Sequence, residues 1–183
     1  MTKHSDRRLA MRDEVFGDEV AYDPPEKGWF KVSRALPLLL GLMASKGISR
    51  ELDPTRVYLE LLSRHFDGGF VELGAEADHA LAAGYSGDRA VRTWRERIKI
   101  LEKTGFIKTK ASSTQNYKYV LLMPPDIVVE KLRKNGKVPS DWLTAYNSRR
   151  METGEISAPA RSRSDSKATK TRKVRPASLV PSA

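Results

Sequence analysis

The chain has 183 residues, of which 39% are hydrophobic and 31% are charged, and its formal net charge is +10. This composition is typical of a globular protein with a polar extension, and the absence of cysteine excludes disulfides, thiolate zinc sites and thiol nucleophiles. The longest apolar run, residues 35–44, is far shorter than the roughly 20 residues of a membrane span. The first residues show no signal-peptide core, so we predict a cytoplasmic protein without membrane contact.

The N-terminal third is predicted to contain two helices after a weakly ordered start. Residues 1–28 are charged and include Asp23-Pro24-Pro25-Glu26, which interrupts any regular element. The run Leu36–Ser45 is apolar and predicts a helix that stops at Gly47. Asp53-Pro54 predicts the start of the next helix, because aspartate caps a helix and proline is tolerated in its first turn. The apolar face of this second helix is formed by Val57, Leu61, Leu62 and Phe66.

A strand, two helices and a hairpin are predicted next. Glycine follows each helix, and glycine adopts the left-handed conformation that ends a helix at little cost. Ser86 is expected to cap the second, longer helix, and the polar turn 112–116 separates the two strands of the hairpin. The predicted elements are the strand Phe70–Leu73, the helix Ala75–Ala83 before Gly84, the helix from Ser86 to Thr104 before Gly105, and the strands Phe106–Lys110 and Tyr117–Met123.

The C-terminal part is predicted to consist of two helices and a basic tail. The helical patterns are Asp126–Lys134 and Asp141–Glu152, the second capped by Ser140. Residues 156–183 hold seven basic residues against Asp165 alone and lack an apolar period, so we expect them to be disordered. The chain thus divides into a weakly ordered extension (1–28), a domain with a preceding apolar helix (29–123), C-terminal helices (124–155) and the tail (156–183).

The order of elements in residues 54–123 is helix, strand, helix, turn, longer helix and hairpin. With the segments Glu76–Gly84, Tyr85-Ser86-Gly87 and Arg89–Ile107, this region resembles the winged helix-turn-helix family. Members of that family include bacterial regulators and the winged-helix parts of plasmid and phage replication proteins. The resemblance implies a mainly α fold with a small β-hairpin, flanked here by extra helices, in which Arg89–Ile107 contains the recognition helix.

The pattern of this longer helix predicts a buried stripe and a charged face. Val91, Trp94, Ile98 and Leu101 recur at helical spacing and should pack inward. Arginine matches the acceptors of guanine in the major groove, and lysine suits phosphates. The candidate DNA-binding residues are Ser86, Arg89, Arg92, Thr93, Glu96, Lys99 and Lys103, with Lys108, Lys110 and Lys118 on the hairpin. The hairpin lysines are equally explained as charges that keep sheet edges soluble.

These features predict a sequence-specific double-stranded DNA-binding protein that controls transcription or replication and associates with the nucleoid. We expect no enzyme activity, no cofactor and no metal site, because no phosphate loop, nucleophile elbow or ligand spacing is present. His65 and His79 are assigned to separate helices, with Asp78 and His79 as surface residues. A homodimer is predicted because the apolar residues near 36–43 and 127–146 exceed what a core of this size needs.

Two other functions fit the same sequence. Some winged helices bind proteins through the recognition helix, and Asp88 and Glu96 would suit that use because both repel phosphate. RNA binding through the basic tail is the other alternative, since spaced arginine and lysine give salt-sensitive affinity for any nucleic acid. The tail is equally explained as a solubilising tether.

Overall fold

The computed structural model describes residues 3–17, 26–49, 51–65 and 68–156. In these residues the chain is mainly helical with a small antiparallel sheet, as the sequence predicted. The tail predicted for residues 156–183 lies almost entirely outside the described residues. The elements are α1 (Lys3–Phe16), α2 (Leu36–Ala44), α3 (Lys46–Ser49), α4 (Thr55–Arg64), β1 (Phe70–Glu72), α5 (Glu76–Ala82), α6 (Ala90–Thr104), β2 (Ile107–Lys110), β3 (Tyr119–Leu122), α7 (Pro125–Lys134) and α8 (Ser140–Glu152).

Helix α1 corrects the prediction of a weakly ordered residue range 1–28 at Lys3–Phe16, whereas residues 18–25 lie outside the described residues. Its sequence contains three arginines and one each of Lys, Leu, Ala, Met and Glu, which have high helix propensity, and it contains neither proline nor glycine. The helix ends before Gly17, which has a φ of 57°. The prolines that suggested disorder come later in the chain and do not act on this segment.

Helices α2 and α4 form where the sequence predicted them, whereas the short helix α3 was not predicted, and Phe66 at the predicted end of α4 lies outside the described residues. Ser45 has an extended backbone and its hydroxyl donates to the carbonyl of Leu42 at 2.7 Å, so α2 ends at Ala44, one residue before the predicted end, and Gly47 is not its stop. Gly47 instead lies inside the short helix α3. Asp53 was predicted to be the N-cap of α4, but the N-cap is Pro54; Asp53 lies one residue earlier, and its Oδ1 accepts the backbone N–H of Thr55 at 2.9 Å.

The three strands form one antiparallel sheet in the order β1-β3-β2. Phe70 pairs with Leu121 across β1 and β3, and Leu121 pairs in turn with Lys108 across β3 and β2. The next positions, Val71 and Val120, are buried on the opposite face. Paired residues of an antiparallel sheet share a face, so the sheet has a buried inner face and an outer face that carries Phe70, Lys108 and Leu121.

The core lies between the inner face of the sheet and the helices. Trp94, Ile98 and Leu101 of α6 are fully buried there, together with Leu61 of α4. Phe106, between α6 and β2, packs edge-on against Tyr58 of α4 with ring centroids 5.9 Å apart. No helix in the described ranges has the length and apolarity needed to cross a membrane.

Helices α2, α7 and α8 bury within the chain most of the apolar surface on which the homodimer prediction was based. Leu39, Leu42 and Met43 of α2 are buried, and the indole Nε1 of Trp142 in α8 donates to the carbonyl of Leu38 at 3.0 Å. The apolar side of α7 and Tyr146 of α8 are also buried. These elements therefore use most of that apolar surface by packing on one another, whereas Ile127 of α7 stays 60% exposed, and the homodimer remains a prediction. Ser140 makes no capping hydrogen bond at the start of α8.

Candidate nucleic-acid interface

Helix α6 is held by one fully buried side. Trp94 stacks on His79 of α5 at a centroid distance of 5.9 Å and meets Tyr117 edge-on at 6.1 Å. Ile98 and Leu101 continue the buried stripe, whereas Val91 at its start is only partly buried. Gly105 ends the helix as predicted, with a φ of 88°. The buried stripe therefore fixes which side of α6 faces solvent.

The loop before α6 is longer than the sequence suggested. Ser86 does not cap the helix; α6 begins at Ala90, and no side chain caps it. The reason is Gly87, whose φ of 80° is left-handed and cannot continue into a right-handed helix. Ser86 is therefore an exposed loop residue, and the exposed Arg89 directly precedes the helix.

The exposed side of α6 carries a line of cations. Arg92, Arg95 and Lys99 follow one another at helical spacing and are all exposed, with 80% of the Arg92 side chain accessible. Lys103 lies one turn beyond Lys99 and is also exposed, whereas the predicted Thr93 is partly buried. The prediction missed Arg95. Its spacing from Arg92 and Lys99 was the signal that placed it on the same face.

Carboxylates neutralise part of this surface. Glu96 is partly buried and lies 3.3 Å from Arg92 and 3.1 Å from Arg97. The Nε of Arg95 donates to Glu76 at 2.7 Å, and this hydrogen bond raises the pKa of the Arg95 guanidinium. Asp88, in the loop before the helix, is exposed. The carboxylates hold the arginine side chains in place but reduce the net positive charge of the surface.

His79 is a buried structural residue, which corrects its assignment to the surface. Its Nδ1 lies 2.8 Å from Oε1 of buried Glu60, and its Nε2 accepts the backbone N–H of Gly74 at 3.0 Å. Nε2 therefore carries no hydrogen, and Nδ1–H donates to the carboxylate. Arg64 pairs with the same oxygen of Glu60 from the surface. This hydrogen-bond network joins α4 to α5 and fixes the orientation of the His79 ring, on which Trp94 stacks.

The predicted hairpin lysines do not extend the exposed line of α6. Lys108 and Lys110 pair with Leu121 and Tyr119, so they project from the outer face of the sheet, opposite the core that α6 enters. Lys118 is partly buried, and its Nζ is 3.0 Å from both the Leu73 carbonyl and a carboxylate oxygen of Glu72. The register of the strands decides these positions, and the sequence pattern did not reveal it.

The hairpin turn is attached to the loop before α5. The amide of Gln115 donates to the carbonyl of Gly74 at 3.0 Å, and the turn closes through a hydrogen bond from Ser112 N–H to the Gln115 carbonyl at 2.9 Å. Gly74 is also the residue whose N–H binds His79. Gly74 therefore links the hairpin turn to His79, and His79 in turn contacts α6 through Trp94.

Nothing in the described part of the chain groups three or more histidine or carboxylate side chains closely enough to hold a metal ion. The chain matches no family model, no curated protein and no solved structure.

Proposed function

We propose that the chain binds double-stranded DNA through the exposed side of α6 and acts as a regulator of transcription or replication. The exposed line Arg92, Arg95 and Lys99 on a helix with its other side buried is the observation that carries the proposal. An α-helix fits the major groove, where base edges present distinct donors and acceptors. The element order and the sheet order β1-β3-β2 support the resemblance to winged helix-turn-helix proteins.

The cations of this surface have different roles in the proposal. Arg89 and Arg92 lie at the N-terminal end of α6, the part that contacts bases in this docking geometry. Arg95 must break its ion pair with Glu76 to contact DNA, so its net contribution to the binding free energy is smaller than its charge suggests. Lys99 and Lys103 are placed for phosphates further along the groove, where they add salt-dependent affinity.

A fluorescence anisotropy titration tests the proposal, using duplex DNA recovered by selection from a random pool. Arg92→Ala should weaken binding to the selected site by about 1–3 kcal/mol, because this is the binding free energy typically lost when an arginine that contacts a base is removed. Arg133→Ala is the matched control, because Arg133 is exposed on α7 and also paired with a glutamate. The control should bind as the unchanged protein does.

Two further variants separate the helix from other basic parts of the chain. Truncation after Glu155 should lower the salt dependence of binding and keep the preference for the selected site, because the removed segment is basic while the proposed base contacts come from α6. Lys108→Gln should have a smaller effect than Arg92→Ala, since Lys108 lies on the outer face of the sheet. If truncation abolishes binding while Arg92→Ala changes nothing, α6 does not read DNA.

A further inference from the structure

The outer face of the sheet carries an unusual amount of apolar surface. Phe70, Leu121 and Ile127 are 51%, 40% and 60% exposed, and Tyr119 lies beside them. Together with α7 they bound a groove of about 740 Å³, within the range of roughly 300–1,000 Å³ found for binding sites. The solvated face of an antiparallel sheet is ordinarily polar, so this concentration of large side chains marks an interaction surface.

Three lysines border the groove. Lys108 and Lys110 stand on β2 and Lys131 on α7. Among the residues that the structure describes, none of the three forms an ion pair. The acidic residue of the lining, Glu102, accepts a hydrogen bond from Thr109, and Glu72 at the far edge of the sheet pairs with Lys118. The groove thus combines an apolar floor with a net positive charge, because its three lysines outnumber the single carboxylate of Glu102.

We propose that this groove binds an acidic amphipathic helix of a partner protein. Apolar side chains one helical turn apart would cover Phe70, Leu121 and Ile127, and carboxylates on the flanks of that helix would meet Lys108, Lys110 and Lys131. Charge complementarity of this kind selects the partner and its orientation. The proposal does not depend on DNA binding by α6.

Two other occupants fit the groove less well. A second copy of this chain carries a net charge of +10 and would bring like charge toward the lysines. Single-stranded nucleic acid has the right charge, but its bases bind by stacking on aromatic rings. In this groove the rings of Phe70 and Tyr119 already stack on each other, with their centroids 6.0 Å apart. Leu121, Met123 and Ile127 make much of the lining aliphatic, which suits protein side chains.

The test is a binding titration of the full chain with a labelled synthetic helix that has leucines on one side and glutamates on its flanks. A peptide with lysine in place of every glutamate is the control for charge. The acidic peptide should bind at least about tenfold more tightly than its lysine counterpart, which corresponds to 1.4 kcal/mol. Equal binding of the two peptides would overturn the proposal.

Substitutions in the protein locate the site. Ile127→Ala and Lys131→Glu should each weaken binding of the acidic peptide by roughly tenfold, the loss expected when an interface anchor is removed. The matched controls are Leu81→Ala and Lys137→Glu, because both positions are exposed and lie outside the groove. Circular dichroism confirms that each variant is folded. Binding that the groove variants and the control variants change equally would contradict the proposed site.

The alternative occupants give distinct results with the same variants. If sedimentation shows a dimer that Ile127→Ala dissociates while the acidic peptide fails to bind, the occupant is a second copy of the chain. If a single-stranded oligonucleotide binds, loses affinity with Ile127→Ala and is not displaced by the acidic peptide, the groove is a nucleic-acid site. Either result overturns the proposal and leaves the assignment of α6 unaffected.

Discussion

Helix α6 and the three-stranded sheet each bury one face, but they expose different kinds of surface. The buried side of α6 is opposed by a charged side with Arg92, Arg95 and Lys99. The buried side of the sheet is opposed by Phe70 and Leu121, both large and apolar. A charged side is adequately solvated, whereas an apolar side remains unfavourable in water until something covers it. The charged side of α6 is therefore the basis of the proposed DNA binding, and the apolar side of the sheet is the basis of the proposed binding of a partner helix.

The two sides of α6 should differ most in their effect on stability. Trp94→Ala should lower the free energy of unfolding by about 3–5 kcal/mol, because it removes a fully buried aromatic ring that packs against His79 and Tyr117. Arg92→Ala, on the opposite side, should change it by no more than about 0.5 kcal/mol. Urea unfolding followed by circular dichroism measures both, and similar losses in the two variants would contradict the orientation of α6.

The core shared by α6 and the sheet should weaken at high pH. Burial and, to a lesser extent, the nearby Tyr146 raise the pKa of the Tyr58 hydroxyl to about 12. The folded state therefore favours the protonated hydroxyl. Its contribution is complete below the ordinary pKa of 10 and is lost as the pH rises from 10 to about 12. The free energy of unfolding should therefore fall by about 2–3 kcal/mol over this pH range, since one pKa unit corresponds to 1.36 kcal/mol.

Tyr58→Phe tests this expectation, because phenylalanine cannot ionise. Its unfolding free energy, measured in urea at a series of pH values, should fall less steeply above pH 10 than that of the unchanged protein. The unfolding free energy of Tyr58→Phe should still fall to some extent above pH 10, because burial also raises the pKa of Tyr146. Tyr119→Phe serves as the control because that side chain is exposed on the outer face of the sheet. Identical profiles for Tyr58→Phe and the unchanged protein would show that Tyr58 is not enclosed.

The two faces of the sheet should respond differently to the same new side chain. Val120→Thr places a hydroxyl in the buried core and should cost about 1–3 kcal/mol of unfolding free energy. Leu121→Thr places one on the outer face, where water can bind it, and should cost no more than about 0.5 kcal/mol. Threonine suits a strand at both positions, so strand propensity does not obscure the comparison. A larger loss at Leu121 than at Val120 would mean that the faces are assigned the wrong way round.

The sequence predicted best where one local period decided the outcome. The spacing of Trp94, Ile98 and Leu101 placed the buried side of α6, and Gly105 placed its end, because both signals act within a few residues. The same spacing placed Arg92 and Lys99 in solvent. Asp53-Pro54 marked the start of α4 for a similar reason, since the Asp53 side chain hydrogen-bonds to the nearby backbone N–H of Thr55.

The amino-acid sequence by itself thus determined the order of the central elements and the two sides of α6. Tertiary structure decided which face of the sheet holds Lys108 and Lys110, that His79 is buried against Glu60, and that α2 and α8 cover each other. These features depend on strand register and on contacts between residues far apart in the chain. A short strand or a single histidine carries no local signal of its distant partner, so only the folded arrangement could reveal the apolar groove beside the lysines.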